Sequence, residues 1–259
     1  MQYVKKEQMN LIAPLFNDWK ETMIWSCLEG DMGKAYADNL LKPRVALIVI
    51  ADFVFLAGNS TLDEAEILVR GIKEVETRLP LLVIPQNREW GILVEKVYGE
   101  KAEKIIRYAI KKESDIFDKE KLEDFVKALP QDFELRPIEE AIYEVIQREE
   151  WCQDLCSQFS TYQEYKEHGL GFVILHEGKI VSGASSYTVY SKGIEIEIDT
   201  HEAYRQKGLA TVCAAQLILT CLDKGLYPSW DAANKESICL AEKLGYHFDY
   251  AYMTYVINK

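Results

Sequence analysis

The residues Arg205-Gln206-Lys207-Gly208-Leu209-Ala210 stand between an alternating strand and a helix that carries no charge from Gly208 to Leu222. On the strand, Ile194, Ile196 and Ile198 share one face and Glu195, Glu197 and Asp199 the other. Backbone N–H groups at a helix start converge on an anion, and Gly208 leaves room for a close approach. The chemistry offered is that of a pyrophosphate cradle. Glu195 and Glu197 could take a proton from a nucleophile, or they could be surface charge on a solvated strand face. Asp231, at the end of the next extended stretch, is a further candidate. Asn234 is first of all a helix N-cap, with Ser237 three residues on.

The elements that must position these groups follow from patterning. Residues 6–19 read as a helix and 22–28 as an extended piece. Val45–Ile50 and residues 53–56 read as a hairpin turning at Ala51-Asp52. Thr61 and Glu64 have capping-box spacing and open a helix to about Arg78. Residues 81–84 form a strand, 87–98 a helix stopped by Gly99, and 100–127 a charged helical stretch. The composition shift at 128–131 marks a domain boundary.

After it come a strand at 133–137, a helix at 138–157, and a helix capped by Ser160 with Gln163. A hairpin crosses Glu177-Gly178, and a third strand at 184–190 precedes the central one. Gly225 stops the uncharged helix, a strand spans 227–231, Gly245 stops the helix from Asn234, and a strand spans 248–257. This is an α/β chain with a mixed sheet and helices on its faces.

Composition narrows the function. The chain has 259 residues, is 48% hydrophobic and carries a net charge of −12. That balance argues against a nucleic-acid partner. It mildly favours a cationic amine, although ordinary solubility charge explains it as well. No segment has the length of a membrane span or the apolar core of a signal peptide, so the expectation is cytoplasmic, with no membrane partner. The six cysteines make no C-x-x-C pair. They read as reduced thiols, with Cys213, Cys221 and Cys239 in apolar helical patterns. Cys152 and Cys156 lack a histidine at zinc spacing, so no metal site is expected. His168, His176, His201 and His247 have no serine or cysteine partner suggested by spacing, which excludes a hydrolase triad.

Two segments repeat: Asn87-Arg88-Glu89…Leu93…Glu95-Lys96 and Asn234-Lys235-Glu236…Leu240…Glu242-Lys243. Their offset, 234 minus 87, is 147 residues. The same offset lays 45–56 over 192–203 and puts Thr61 opposite Gly208 and Asp63 opposite Ala210. The first half therefore has a side chain where the second has its glycine. The halves read as related, with unequal capacity for phosphate.

Arg205-x-x-Gly208-x-Ala210 after a strand, Asn234-x-x-Ser237, and Glu242-Lys243-Leu244-Gly245-Tyr246 resemble the motifs of the GNAT superfamily of acyl-CoA-dependent N-acetyltransferases. The element order from Phe133 to Ile257 is similar throughout. The whole chain also resembles a narrower bacterial group related to zwittermicin A resistance acetyltransferase. The resemblance implies a degenerate GNAT-like N-terminal domain at 1–128 and a GNAT N-acetyltransferase domain at 131–259. It implies acetyl-CoA as cosubstrate and a primary amine of a small molecule or peptide as acceptor; a second copy of the chain is left open as a partner.

In that frame Arg205, Gln206, Lys207, Gly208, Leu209 and Ala210 hold the pyrophosphate. The main chain of Ile198, Asp199 and Thr200 meets the pantetheine amides, Asn234 and Ser237 adjoin the cofactor, and Glu197 or Glu195 is the base. Many members place a tyrosine acid four residues before the glycine of the second motif; here that residue is Ala241. Trp151, Phe159, Tyr162 and Tyr165 would border the substrate cleft. A non-catalytic acyl-CoA-binding or interaction module is the competing expectation.

Overall fold

The computed structural model describes residues 1–77 and 80–258. The chain forms two compact units: residues 1–107 together with those from Ala251 onward, and Tyr108–Tyr250. The sequence boundary at 128–131 thus lies inside the second unit.

In the first unit, strands β1 (Gln2–Val4), β2 (Lys34–Ala37), β3 (Val45–Ile50) and β4 (Phe53–Gly58) are successively antiparallel. Strand β5 (Leu81–Pro85) lies parallel to β4. Beyond it, Tyr255, Val256 and Ile257 of the C-terminal strand pair antiparallel with Val83, Leu82 and Leu81. The β3–β4 hairpin turns at Ala51-Asp52 as the sequence predicts, with Ala51 at φ 53°. Helices α1 (Met9–Ile12), α2 (Thr22–Glu29), α3 (Asp63–Arg70), α4 (Ile72–Val75) and α5 (Arg88–Tyr98) complete the unit. Its core joins Leu47, Leu56, Leu68, Trp90, Tyr255 and Ile257.

Three expectations change here. Residues 22–28 are helical, because Met23, Ile24 and Cys27 form a helical stripe and are all buried. The Thr61/Glu64 capping box does not form. Leu62 is the N-cap, the Thr61 hydroxyl donates to Asn59 Oδ1 at 2.7 Å, and Glu64 pairs with Arg44. The helix from there breaks after Arg70 and resumes to Val75; its expected end, Arg78, lies outside the described residues.

The charged stretch at 100–127 splits into strand β6 (Ala102–Ile110) and helix α6 (Lys119–Lys127). Residue 107 closes the first unit, so β6 has residues in both. The second unit holds a five-stranded sheet in the order β11-β10-β9-β8-β7. These strands are β7 (Phe133–Pro137), β8 (Gly171–His176), β9 (Lys179–Tyr190), β10 (Gly193–Thr200) and β11 (Tyr227–Ser229). The expected third strand is simply the continuation of β9.

Helices α7 (Glu140–Ile146) and α8 (Tyr162–His168) pack on one face of this sheet, and α9 (Leu209–Asp223) packs on the other. The helix expected over 138–157 stops at Ile146. The α8 cap is displaced by one residue: Thr161 Oγ1 accepts from Glu164 N–H at 3.2 Å, and Glu164 accepts from Ser160 N–H. Helix α9 is covered on nearly every side by the sheet and by Leu122 of α6, which is why its sequence tolerates no charge. Strand β12 (Asp231–Ala232), helix α10 (Lys235–Leu244) and strand β13 (Phe248–Ile257) follow, β13 also having residues in both units.

Candidate active site

Strands β10 and β11 pair in parallel at Gly193–Tyr227, Ile194–Pro228 and Glu195–Ser229. There they part. Asp231 and Ala232 pair instead with Ala109 and Tyr108 of β6, while β10 stays paired with β9 as far as Thr200–Ser182. Among the described residues, no strand therefore lies on the other edge of β10 from Ile196 to Thr200. A parted pair of parallel strands presents unpaired main-chain groups in a cleft, ready for an amide-bearing ligand.

Three of the main-chain groups at this end have side-chain partners. Ile198 N–H donates to Glu197 Oε1 at 3.2 Å, and the Thr200 carbonyl accepts from Arg205 Nε at 3.3 Å. The Asp199 carbonyl accepts from the Ser182 hydroxyl on the β9 side at 3.2 Å. Arg205 thus ties the turn to the end of the strand.

The turn itself is built for close approach. Gln206 has φ 61° and Gly208 φ 80°, both left-handed; for Gln206 this is uncommon and costs backbone energy. A Cβ added to Gly208 would meet nothing within 4 Å, so the space before it is open. The first helical bond runs from Val212 N–H to Gly208 O at 3.2 Å. The N–H groups of Leu209, Ala210 and Thr211 consequently have no intrahelical acceptor. Lys207 places its ammonium 4.6 Å from the centre of the Tyr204 ring. Open space, helix-start donors and two nearby cations match a pyrophosphate group.

Glu195, Glu197 and Asp199 line the face of β10 opposite the α9 core. Glu195 is 3% exposed, and Glu197 and Asp199 are half-buried. Burial pushes the Asp199 carboxyl from 3.8 up to about 6; neighbouring Asp154 adds to the rise and Arg205 opposes it. Sequence reasoning assigned Asp199 a main-chain role only. Its alternation with Glu197 was the available signal, whereas the approach of Asp154, 45 residues earlier (199 minus 154), left none.

Asn234 caps α10 as expected, its Oδ1 accepting from Ser237 N–H at 2.8 Å. The Ser237 hydroxyl accepts from Trp230 Nε1 at 3.0 Å, fixing the indole beside the parting. Ala241 is fully buried and offers no hydroxyl. Tyr246 is a core residue: its hydroxyl donates to the Pro228 carbonyl at 2.6 Å, and burial raises its pKa far above the usual value. Lys112, which the sequence gave no reason to single out, donates from Nζ to the Trp230 carbonyl at 3.2 Å.

Of the aromatic residues expected along a substrate cleft, Phe159 and Tyr165 are core. They meet edge to face at 5.2 Å, and the Tyr165 hydroxyl bonds Ser185. Trp151 and Tyr162 keep partial exposure. Cys239 is exposed, unlike the other five cysteines.

Comparison with known proteins agrees with this geometry. The chain is 47% identical to a GCN5-related N-acetyltransferase-like protein of Streptococcus suis, with a TM-score of 0.90 over 97% of this chain and 99% of that one. It is 25% identical over 260 residues to the uncharacterised N-acetyltransferase YdfB of Bacillus subtilis, covering 95% of this chain and 94% of the relative. A GCN5-related N-acetyltransferase from Kribbella flavida shares the fold, with a TM-score of 0.57 at 13% identity over 83% of this chain and 88% of that one. The GNAT acetyltransferase family profile matches residues 13–255, and with the parted strands and glycine turn in view the chain belongs to that family.

Proposed function

We propose that the second unit binds acetyl-CoA in the cleft between β10 and β11 and transfers the acetyl group to a primary amine. The observation that carries this is the parting of the strands after Glu195 and Ser229, with the open Gly208 turn at the end of the same strand. Main-chain groups of Ile198, Asp199 and Thr200 adjoin the pantetheine arm. The N–H groups from Gln206 to Ala210, with Arg205 and Lys207, hold the pyrophosphate; Asn234 and Ser237 flank it.

When bound, acetyl-CoA supplies an activated thioester. The protein must place an amine against it, take a proton and stabilise developing charge. Glu197, half-buried and two residues beyond Glu195, the last residue paired with β11, takes the proton, directly or through water. Buried Glu195 lies behind it on the same strand face. Asp199, held at about 6, is ionised at neutral pH and extends the acidic face toward a cationic amine. No hydroxyl at Ala241 protonates the leaving thiolate. A free thiol has a pKa near 8.5, so a thiolate can leave with help from water.

The first unit is read as a degenerate relative of the second that does not bind the cofactor. The acceptor is a small molecule or a peptide, and the narrower resemblance to zwittermicin A resistance acetyltransferases favours a small molecule. No described helix is long and apolar enough to cross a membrane, which fits a cytoplasmic setting. Calorimetric titration with acetyl-CoA, followed by thiol release with a panel of amines, tests the reading. Binding without thiol release for any amine would favour a non-catalytic module; absence of binding would end the proposal.

A further inference from the structure

A second cavity, of about 610 Å³, lies in the second unit beside the β8–β9 hairpin, and none of the residues assigned above to the cofactor lines it. Ile142 and Val145 of α7 line it together with Leu175 and Ile180 of the hairpin. Trp151 meets His201 edge to face at 5.3 Å, and both line the cavity. Tyr204 completes that side; its hydroxyl is 3.0 Å from His176 Nδ1, which holds the ring in place. Size and lining are those of a small-molecule site: apolar and aromatic walls with few polar groups.

The charged residues decide what it takes. Two line the cavity, Glu149 and Lys179, of opposite sign. Among the described residues neither makes an ion pair, although many other surface carboxylates and ammonium groups do, including Glu144 with Arg148 on neighbouring turns. An apolar ligand with one charge would be matched by one of these groups and repelled by the other. A ligand carrying both signs on one end and an apolar group on the other meets the whole lining.

We infer that this cavity binds a zwitterionic α-amino acid with an apolar side chain. The side chain packs among Ile142, Val145, Leu175 and Ile180, the ammonium faces Glu149 and the carboxylate faces Lys179. This assignment does not depend on the cofactor reading, which acetyl-CoA titration checks separately.

The test is calorimetry of the full chain with L-phenylalanine, with phenethylamine and 3-phenylpropionate as analogues carrying one charge each. L-Phenylalanine gives saturable binding, and each analogue binds at least about tenfold more weakly, the loss of one charge contact. Glu149→Lys and Lys179→Glu each weaken L-phenylalanine by a similar factor, and the double reversal restores it. Both positions are exposed, so the variants unfold at the wild-type temperature. No saturable heat with L-phenylalanine overturns the assignment. So do equal affinities for the three compounds, or charge reversals that leave affinity unchanged.

Discussion

Each unit contains a hairpin, a following helical segment, a strand parallel to the second hairpin strand, and an asparagine-capped helix. In the first unit these are β3–β4, α3 and α4, β5 and α5; in the second they are β9–β10, α9, β11 and α10. The caps are near copies: Asn87 has φ −152° and ψ 178°, Asn234 φ −155° and ψ 178°. The strand pairs differ. β4 and β5 stay paired from Phe53–Leu82 to Leu56–Pro85, and Gln86 continues the ladder by donating to the Leu56 carbonyl. Gln86 Oε1 then takes the Gly58 N–H, and the buried Trp90 indole donates to the Gly58 carbonyl.

In the second unit the corresponding pair opens after three residues. The connection into the helix also differs. Residues 59–62 are a tight turn, whereas 201–208 hold a 3-10 helix and the left-handed pair Gln206 and Gly208. A cleft is made by withholding a ladder, and the first unit fills the corresponding place with Gln86 and Trp90.

The comparison can be broken at four points, taken from the largest effect to the smallest. Trp90→Ala removes the indole that closes the first unit and leaves the Gly58 carbonyl without that donor. The expected loss is about 3–5 kcal/mol in urea unfolding, with acetyl-CoA affinity unchanged under conditions where the protein stays folded. Gly208→Asp puts a carboxylate before the helix-start donors and should weaken acetyl-CoA at least about 100-fold by calorimetry, or ~2.7 kcal/mol. As the control for Gly208, Thr61→Asp, opposite it in the 147-residue overlay, should change affinity by less than about twofold. Cofactor found near Thr61 would erase the asymmetry.

Asp199→Asn probes the face that only the second unit carries. Folding raises this carboxyl from 3.8 to about 6, so the folded state binds more protons between those values and stability falls as pH rises through them. The variant should be more stable than wild type at pH 7, by on the order of 1–2 kcal/mol, and equal to it below about pH 4. A difference independent of pH would remove the ionisation from the account. The smallest losses of stability are at the two caps: Asn87→Ala and Asn234→Ala should each cost about 1 kcal/mol in thermal unfolding. Only the second should also weaken acetyl-CoA.

The second unit was largely legible because its signals are local. Gly208, Asn234 and Gly245 each mark a helix end, and the alternation from Ile194 to Thr200 sets the strand's faces. The overlay at 147 residues brings two asparagine-capped helices into register but not the strands. Residues 45–56 form a hairpin, and 192–203 hold one strand and its exit. Matching the turns Ala51-Asp52 and Ser191-Lys192 gives 191 minus 51, or 140; of the seven residues of difference (147 minus 140), two lie in the longer strand β10 and four in the longer connection before α9.

What stayed hidden depends on partners far along the chain. Strand β6 exposes Glu103, Lys104 and Ile106, which masks its alternation and makes it read as a charged helix. The parting of β10 and β11 is set by the pairing of Asp231 with Ala109, which no local pattern announces. The Asp154–Asp199 approach is hidden for the same reason.

The strand Phe248–Ile257 has a consequence for the order in which the protein is made. Tyr255 and Ile257 sit in the core of the first unit, beside residues synthesised long before them. A domain encoded first usually folds first as it leaves the ribosome, where elongation adds about 5–20 residues each second. Here the first unit must wait with the edge of β5 uncovered until Tyr255, Val256 and Ile257 emerge. The second unit, whose residues all precede Ala251, has its complete sequence earlier. Completion of the first unit's core therefore also reports that translation of the chain reached Ile257.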